Sequence, residues 1–261
     1  MKRIKLILVC GLVLALTGLT TLLVAAGAQR EGKALVRTVT GDVTYQADGV
    51  GPFLPLRVNM ELTPKTVLKS AAGASAYLQV NGYLSTIKLT ESTTLTLATM
   101  MATGPGLDAD TSTDLKLDGG EILGQVKKLS ANSDYKVTVP NGVAGVRGTD
   151  IGVKVVVGPN GTITVTFTSV TGLLFCQVNA PAGTPQDQAS RMLTSGQSWT
   201  VTGNLAGVTL TLGTVRPLTP GEIAVFNNTF RPPPPNPPFN VTPTPPPPPT
   251  VVPPNTNPSN T

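Results

Sequence analysis

The chain predicts an all-β fold, and three observations carry that prediction. Short segments rich in Val, Thr, Leu and Ile alternate between apolar and polar positions. They recur at roughly 8–12 residue intervals with Gly, Pro, Asn and Asp between them. No segment between Glu31 and Arg216 sustains an apolar period of 3.6 residues. The composition agrees: of 261 residues only 13% are charged, against the ~25% of an ordinary globular domain. A sandwich, a barrel or a β-solenoid each satisfies this pattern, and about 190 residues suffice for one substantial core.

The ends are set apart by composition. Met1-Lys-Arg-Ile-Lys5 is a basic n-region, Leu6 to Ala26 is apolar, and Ala26-Gly-Ala28 precedes Gln29 as a small-x-small cleavage site. Residues 1–28 therefore read as a secretory signal peptide. An uncleaved anchor is the competing reading, because a bilayer span needs ~20 apolar residues. A lipoprotein reading fits less well, since Cys10 sits close to the charged start behind the bulky Val9. The basic end stays inside, and the chain beyond Ala28 is exported to the periplasm or the exterior. Residues 29–217 form the β-rich body. Residues 218–261 form a Pro-rich tail, with Pro232-Pro-Pro-Pro-Asn-Pro-Pro238 and Pro245–Pro249 inside it. Proline donates no ladder hydrogen bond, so this tail is expected to be disordered and extended.

Within the body, Ala34–Thr40 and Val43–Tyr45 read as a strand pair around Gly41-Asp42. Thr66–Leu68, Ser75–Val80, Tyr83–Leu89 and Thr94–Leu97 are further strands, and Asn81-Gly82 is a strong hairpin signal. Leu115–Leu117 leads through Asp118-Gly-Gly120 into Glu121–Val126. Tyr135–Val139 comes next, then a glycine-punctuated stretch from Pro140 to Asp150, then Lys154–Val157 and Thr162–Phe167 around the turn Gly158-Pro-Asn-Gly161. Leu173–Val178, Arg191–Leu193, Ser198–Thr202 and Val208–Leu212 complete the series.

The most punctuated region is Val137–Val157. Val137–Val139 and Ile151–Val157 read as paired or successive core strands. Gly145 and Gly148 allow a tight path between them, and Arg147 ties that path down by bonding loop carbonyls or Asp150.

From Leu117 onward the body resembles a known family. Leu117-Asp-Gly-Gly-Glu-Ile-Leu-Gly-Gln-Val126, Tyr135–Pro140, Ala144-Gly-Val-Arg-Gly-Thr-Asp-Ile-Gly-Val153, Thr162–Val165 and Leu193-Thr-Ser-Gly-Gln197 succeed one another as in the FecR domain. Val146-Arg-Gly-Thr149 after a Val-Pro strand end is the most specific part, and the resemblance covers about 36–201. It implies a β-rich periplasmic or extracellular module without catalytic residues. The regulator that names the family also has a cytoplasmic sigma-factor-binding domain ahead of its membrane span. Only Met1–Lys5 precede the apolar run here, so the transcriptional role is not expected to carry over. The signature residues to watch are Arg147, Gly148, Thr149 and Asp150, as an interaction site or a structural feature.

Composition limits the chemistry further. There is no histidine, which removes the usual general base, the commonest zinc ligand and any standard serine triad. Of the two cysteines, Cys10 lies in the apolar run, so Cys176 is expected to be a small buried apolar residue. The formal charge of +5 includes Lys2, Arg3 and Lys5, and no interleaved basic and aromatic patch marks nucleic acid as a partner. Asp108-Ala-Asp-Thr-Ser-Thr-Asp114 spaces oxygen side chains as a calcium loop would, yet Thr113 and Gly119 stand where an EF-hand needs Gly and Glu, so a solvated loop is expected. Asp114, Lys116 and Asp118 share one strand face, read as solvated. No catalytic residue, metal site or cofactor is assigned. The function expected is envelope signalling, scaffolding or protein interaction without catalysis. The partner expected is another envelope protein, with membrane contact only through an uncleaved N-terminal segment. The alternatives are an anti-sigma-type transducer and a carbohydrate- or surface-binding adhesin.

Overall fold

The computed structural model describes residues 29–82, 84–104, 109–179, 189–204 and 209–233. The signal-peptide and proline-tail expectations, other than 218–233, lie outside them. The first half of the body contains β1 (Gln29–Glu31), β2 (Ala34–Thr40), β3 (Val43–Gln46), β4 (Leu54–Pro55), β5 (Glu61–Leu62), β6 (Val67–Ser70), β7 (Ser75–Val80), β8 (Ser85–Leu89) and β9 (Thr94–Thr103). The long strand β10 (Asp110–Val126) is next. Then come β11 (Asp134–Val139), β12 (Gly142–Arg147), β13 (Asp150–Val157), β14 (Thr162–Ser169) and β15 (Leu173–Val178). The body ends with β16 (Ser190–Leu193), β17 (Gln197–Asn204), β18 (Leu210–Leu212) and β19 (Arg216–Pro217), before the helix α1 (Pro220–Thr229).

Two curled sheets enclose one apolar core, and β10 is central to both. In the first sheet the order is β16-β15-β12-β11-β10-β9-β6-β3-β4, with β1 beside the far end of β9. In the second it is β5-β2-β7-β8-β10-β13-β14-β17, closed by β18 and β19 on β17. Asp110–Gly119 pair with β9 in the first sheet and Gly120–Val126 with β13 and β8 in the second.

The change of sheet falls at Gly119-Gly120. Gly120 has φ +88, and a Cβ there would lie 2.4 Å from the Cα of Thr93. Only glycine permits both the left-handed bend and that approach. The chain returns to the first sheet through 127–133 and starts β11 alongside the beginning of β10, with Ser112 opposite Asp134 and Lys116 opposite Thr138. One complete coil brings the strands together in the same direction, so this pairing is parallel. Parallel strands need such a crossover.

Other crossings repeat the device. Gly41 (φ +71) carries β2 into β3, Gly73 (φ +72) β6 into β7, Gly148 (φ +61) β12 into β13, Gly172 (φ +75) β14 into β15, and Gly196 (φ +74) β16 into β17. The crossing from β8 to β9 uses Ser92 at φ +52 instead. This corrects the expected pairing of Ala34–Thr40 with Val43–Tyr45. β2 pairs with β7 and β3 with β6, because Gly41 turns the chain between sheets rather than back along one. Asn81 and Gly82, both at positive φ, do form the expected hairpin between β7 and β8, and Pro159–Gly161 connects β13 to β14.

Alternation puts Leu68, Leu95, Leu97, Leu115, Leu117, Val137, Leu174 and Cys176 inside from the first sheet. Leu78, Ile87, Leu89, Ile122, Val153, Val165, Phe167 and Trp199 face them from the second. Phe167 stacks on Trp199 with ring centres 6.0 Å apart, and the indole NH donates to the Gly213 carbonyl at 2.9 Å. Cys176 is fully buried, as expected, and burial pushes its thiol pKa up. The outer threonines pair across strands, Thr164 with Thr202 and Thr166 with Thr200, each at 3.1 Å.

The tail does not begin at residue 218. Thr219 caps α1: its hydroxyl accepts from the Glu222 NH, while Glu222 reaches back to the Thr219 NH. This capping box, with Pro220 in the first turn, starts a helix that a reading centred on proline content passes over. Phe226 and Phe230 then pack with Tyr77 and Leu123 on the outer face of the second sheet. The Tyr77 hydroxyl accepts from the Arg231 NH at 2.7 Å and donates to the Thr229 carbonyl.

Candidate interaction surface

The residues singled out in the sequence meet at one crossing. Arg147 ends β12, and its Nη2 donates to the Ala131 carbonyl at 3.0 Å, so it bonds a loop carbonyl of the 127–133 return. Gly148 turns the chain at positive φ, where a Cβ would lie 3.2 Å from the Cα of Lys128. Thr149 is 1% exposed. Its hydroxyl donates to the Leu173 carbonyl at 2.8 Å and accepts from the Leu173 NH at 3.1 Å, stapling this crossing to the one at Gly172. The Asp150 NH donates to the Thr171 hydroxyl at 3.0 Å. Thr149 and Asp150 thus bond to the neighbouring crossing, Gly148 makes the turn close to Lys128, and Arg147 alone of the four is exposed.

The path between Val139 and Ile151 differs from the expectation. β12 fills it as a strand paired with β11 and β15, and β13 belongs to the other sheet. Gly145 is inside that strand. Its missing Cβ would meet nothing closer than the Phe175 carbonyl at 3.8 Å.

That open space shapes a surface the sequence reading missed. Arg147 lies opposite Leu173, Gly145 opposite Phe175, and Phe175 opposite Met192. Leu173, Phe175 and Met192 are 50%, 42% and 56% exposed. With Asp134, Gly145 and Arg147 they border a shallow hollow of about 230 Å³ on the outer face of the first sheet. A signal was present: Leu173-Leu-Phe-Cys176 is apolar at every position, so whichever face is buried, two apolar side chains fall on the other.

The remaining candidates take other places. Asp108 lies outside the described residues. Residues 110–114 are strand, not a loop, because the alternation that spaces the oxygens also suits β10. Asp110 accepts from Ser130 at 2.6 Å and Asn132 at 3.1 Å, bonds that hold its carboxyl below the usual range. Asp114 accepts from Thr138 at 2.9 Å and faces Lys136 at 3.6 Å. Lys116 pairs with Asp118 at 3.0 Å on the exposed face of β10. Among the described residues no group of three or more His, Cys, Asp or Glu side chains is placed to hold a metal ion.

Residues 66–171 match the family model described as FecR protein. That segment is similar to a FecR domain. It runs from just before β6 to the crossing after β14 and so contains the whole β10–β11 coil and the Arg147 crossing. The match is narrower than the 36–201 expected. No curated protein matches the chain. Among solved structures, two crystal structures of a candidate anti-sigma factor from Parabacteroides distasonis ATCC 8503 are similar, at 13% and 12% identity with TM-scores of 0.41. Each alignment covers 61% of this chain and 63% of that one. Among the described residues no helix is long and apolar enough to cross a membrane.

Proposed function

We propose that this FecR-domain protein is an exported, non-catalytic envelope protein that works in signalling or scaffolding through protein–protein contact. The surface formed by Leu173, Phe175 and Met192 beside Arg147 carries the reading. Large apolar side chains grouped on an otherwise polar outer sheet face, next to an arginine, have the composition of an interface centre. Gly145 leaves room there for a partner side chain. The basic n-region, apolar run and Ala26-Gly-Ala28 support export.

Site-specific photocrosslinking in intact cells tests it. A crosslinking residue at Phe175 is expected to capture a discrete envelope protein. The same residue at Thr164, on the opposite sheet, is expected not to. Gly145→Val, which fills the hollow, is expected to abolish capture without lowering the melting temperature. Equal capture from both positions would sink the assignment.

A further inference from the structure

A second cleft lies on the other face of the molecule, beneath α1. Its floor is one cross-strand row: Leu123 opposite Gly152, Gly152 opposite Thr168, Thr168 opposite Ser198, and Ser198 opposite Arg216. Gly152 makes a notch in the middle of that row, since a Cβ there would have ordinary contacts of 3.5 Å to Leu123 and Thr168. Phe226 of α1, with Leu123 and Val170, supplies an apolar wall. Thr166, Thr168 and Ser198 supply hydroxyls. The space is about 190 Å³, below the ~300–1,000 Å³ typical of sites for drug-sized ligands.

Two features separate this cleft from a packing gap. Ser198 is 1% exposed and its hydroxyl has no hydrogen-bond partner. A buried hydroxyl is normally satisfied, so this one is available to a partner held in the cleft. The charges at the rim, in contrast, are already matched. Arg216 makes two bonds to Glu222, at 3.0 and 2.6 Å, and Lys154 lies 3.7 Å from Glu121. Neither an anion nor a cation finds an open counter-charge there. The complementary ligand is neutral, has one apolar face for Phe226 and Leu123, and presents hydroxyls to the floor.

We infer that the cleft under α1 binds a single neutral sugar ring. Such a ring has a C–H face and a hydroxyl edge, and one ring suits the volume.

Saturation-transfer NMR with the full exported chain, using glucose, galactose and N-acetylglucosamine as separate probes, tests this. At least one is expected to bind saturably in the millimolar range. Gly152→Val is expected to weaken that binding at least about tenfold by filling the notch, and Ser198→Ala several-fold. Arg147→Ala, on the opposite sheet, is expected to leave it unchanged. Absence of binding by all three sugars would overturn the inference. So would undiminished binding in a folded Gly152→Val protein, or in folded Ser198→Ala should the valine variant fail to fold. The readout is independent of the crosslinking surface, so either proposal can fail alone.

Discussion

Glycines in this protein separate into kinds that a sequence shows alike. At Gly120 a methyl group would meet both a positive φ and the backbone of Thr93. At Gly196 it would meet only the φ of +74, with open space around it. At Gly145 it would meet neither. Gly120→Ala is therefore expected to cost about 3 kcal/mol, Gly196→Ala about 1 kcal/mol, and Gly145→Ala close to nothing. Urea unfolding of the three variants checks this order, and a Gly145 variant as damaged as the Gly120 one would contradict it. Arg147→Ala removes one exposed hydrogen bond to the Ala131 carbonyl. A loss of about 0.5–1 kcal/mol is expected, seen as a melting temperature lower by about 1–4 °C. Unchanged stability with lost capture at the Phe175 surface would make Arg147 a partner contact instead. The Val-Arg-Gly-Thr signature was legible as a tight path tied down by arginine. What Thr149 bonds to was not, because Leu173 lies far along the chain and only the fold makes them neighbours.

At the scale of elements, α1 shows how a local signal can be outweighed. Thr219-Pro-Gly-Glu222 is a complete capping box, but proline on both sides pointed to a tail. The pair of Arg216 with Glu222, together with the cap bonds from Thr219, holds the Glu222 carboxyl at about 2. A carboxylate depressed in the folded state contributes stability above its unfolded pKa, and that contribution disappears as pH falls toward the folded value. The first turn of α1 is therefore expected to be intact above about pH 5 and to loosen between about pH 4.5 and 2. Hydrogen exchange at Ile223 and Ala224 measures this. Glu222→Gln should remove the pH dependence, and an identical acid profile in that variant would refute the role. The strands were more readable than the helix. β7 with β8 is implied by alternation and Asn81-Gly82, and β13 with β14 by Gly158-Pro-Asn-Gly161. Their alternation also names the core side of each strand. The split between β2 and β3 was not readable, since Gly41-Asp42 has the composition of a hairpin turn.

At the scale of the molecule, β10 organises both sheets, and strands before and after it join them by non-local pairings. Its first half cannot complete the parallel pairing with β11 until the chain has visited the second sheet and returned. Such topology requires loop closure before the contacts that reward it. Refolding monitored by Trp199 fluorescence is expected in milliseconds to seconds, and a dominant microsecond phase would contradict this. Gly120→Ala is placed at the turn of that coil and should slow refolding more than Gly196→Ala.

Sequence alone determined the all-β class, most strand positions, the inward face of the strands that alternate, the FecR resemblance and the structural weight of the Gly148 crossing. These depend on period-two alternation and on turn chemistry, which are local. Tertiary structure decided which strands pair, that β10 serves two sheets, that Leu173, Phe175 and Met192 gather beside Arg147, and that Ser198 lies under α1. Those outcomes depend on crossings. A glycine at positive φ can send a strand back beside its predecessor or across to the opposite sheet, and only the packing around it selects between the two.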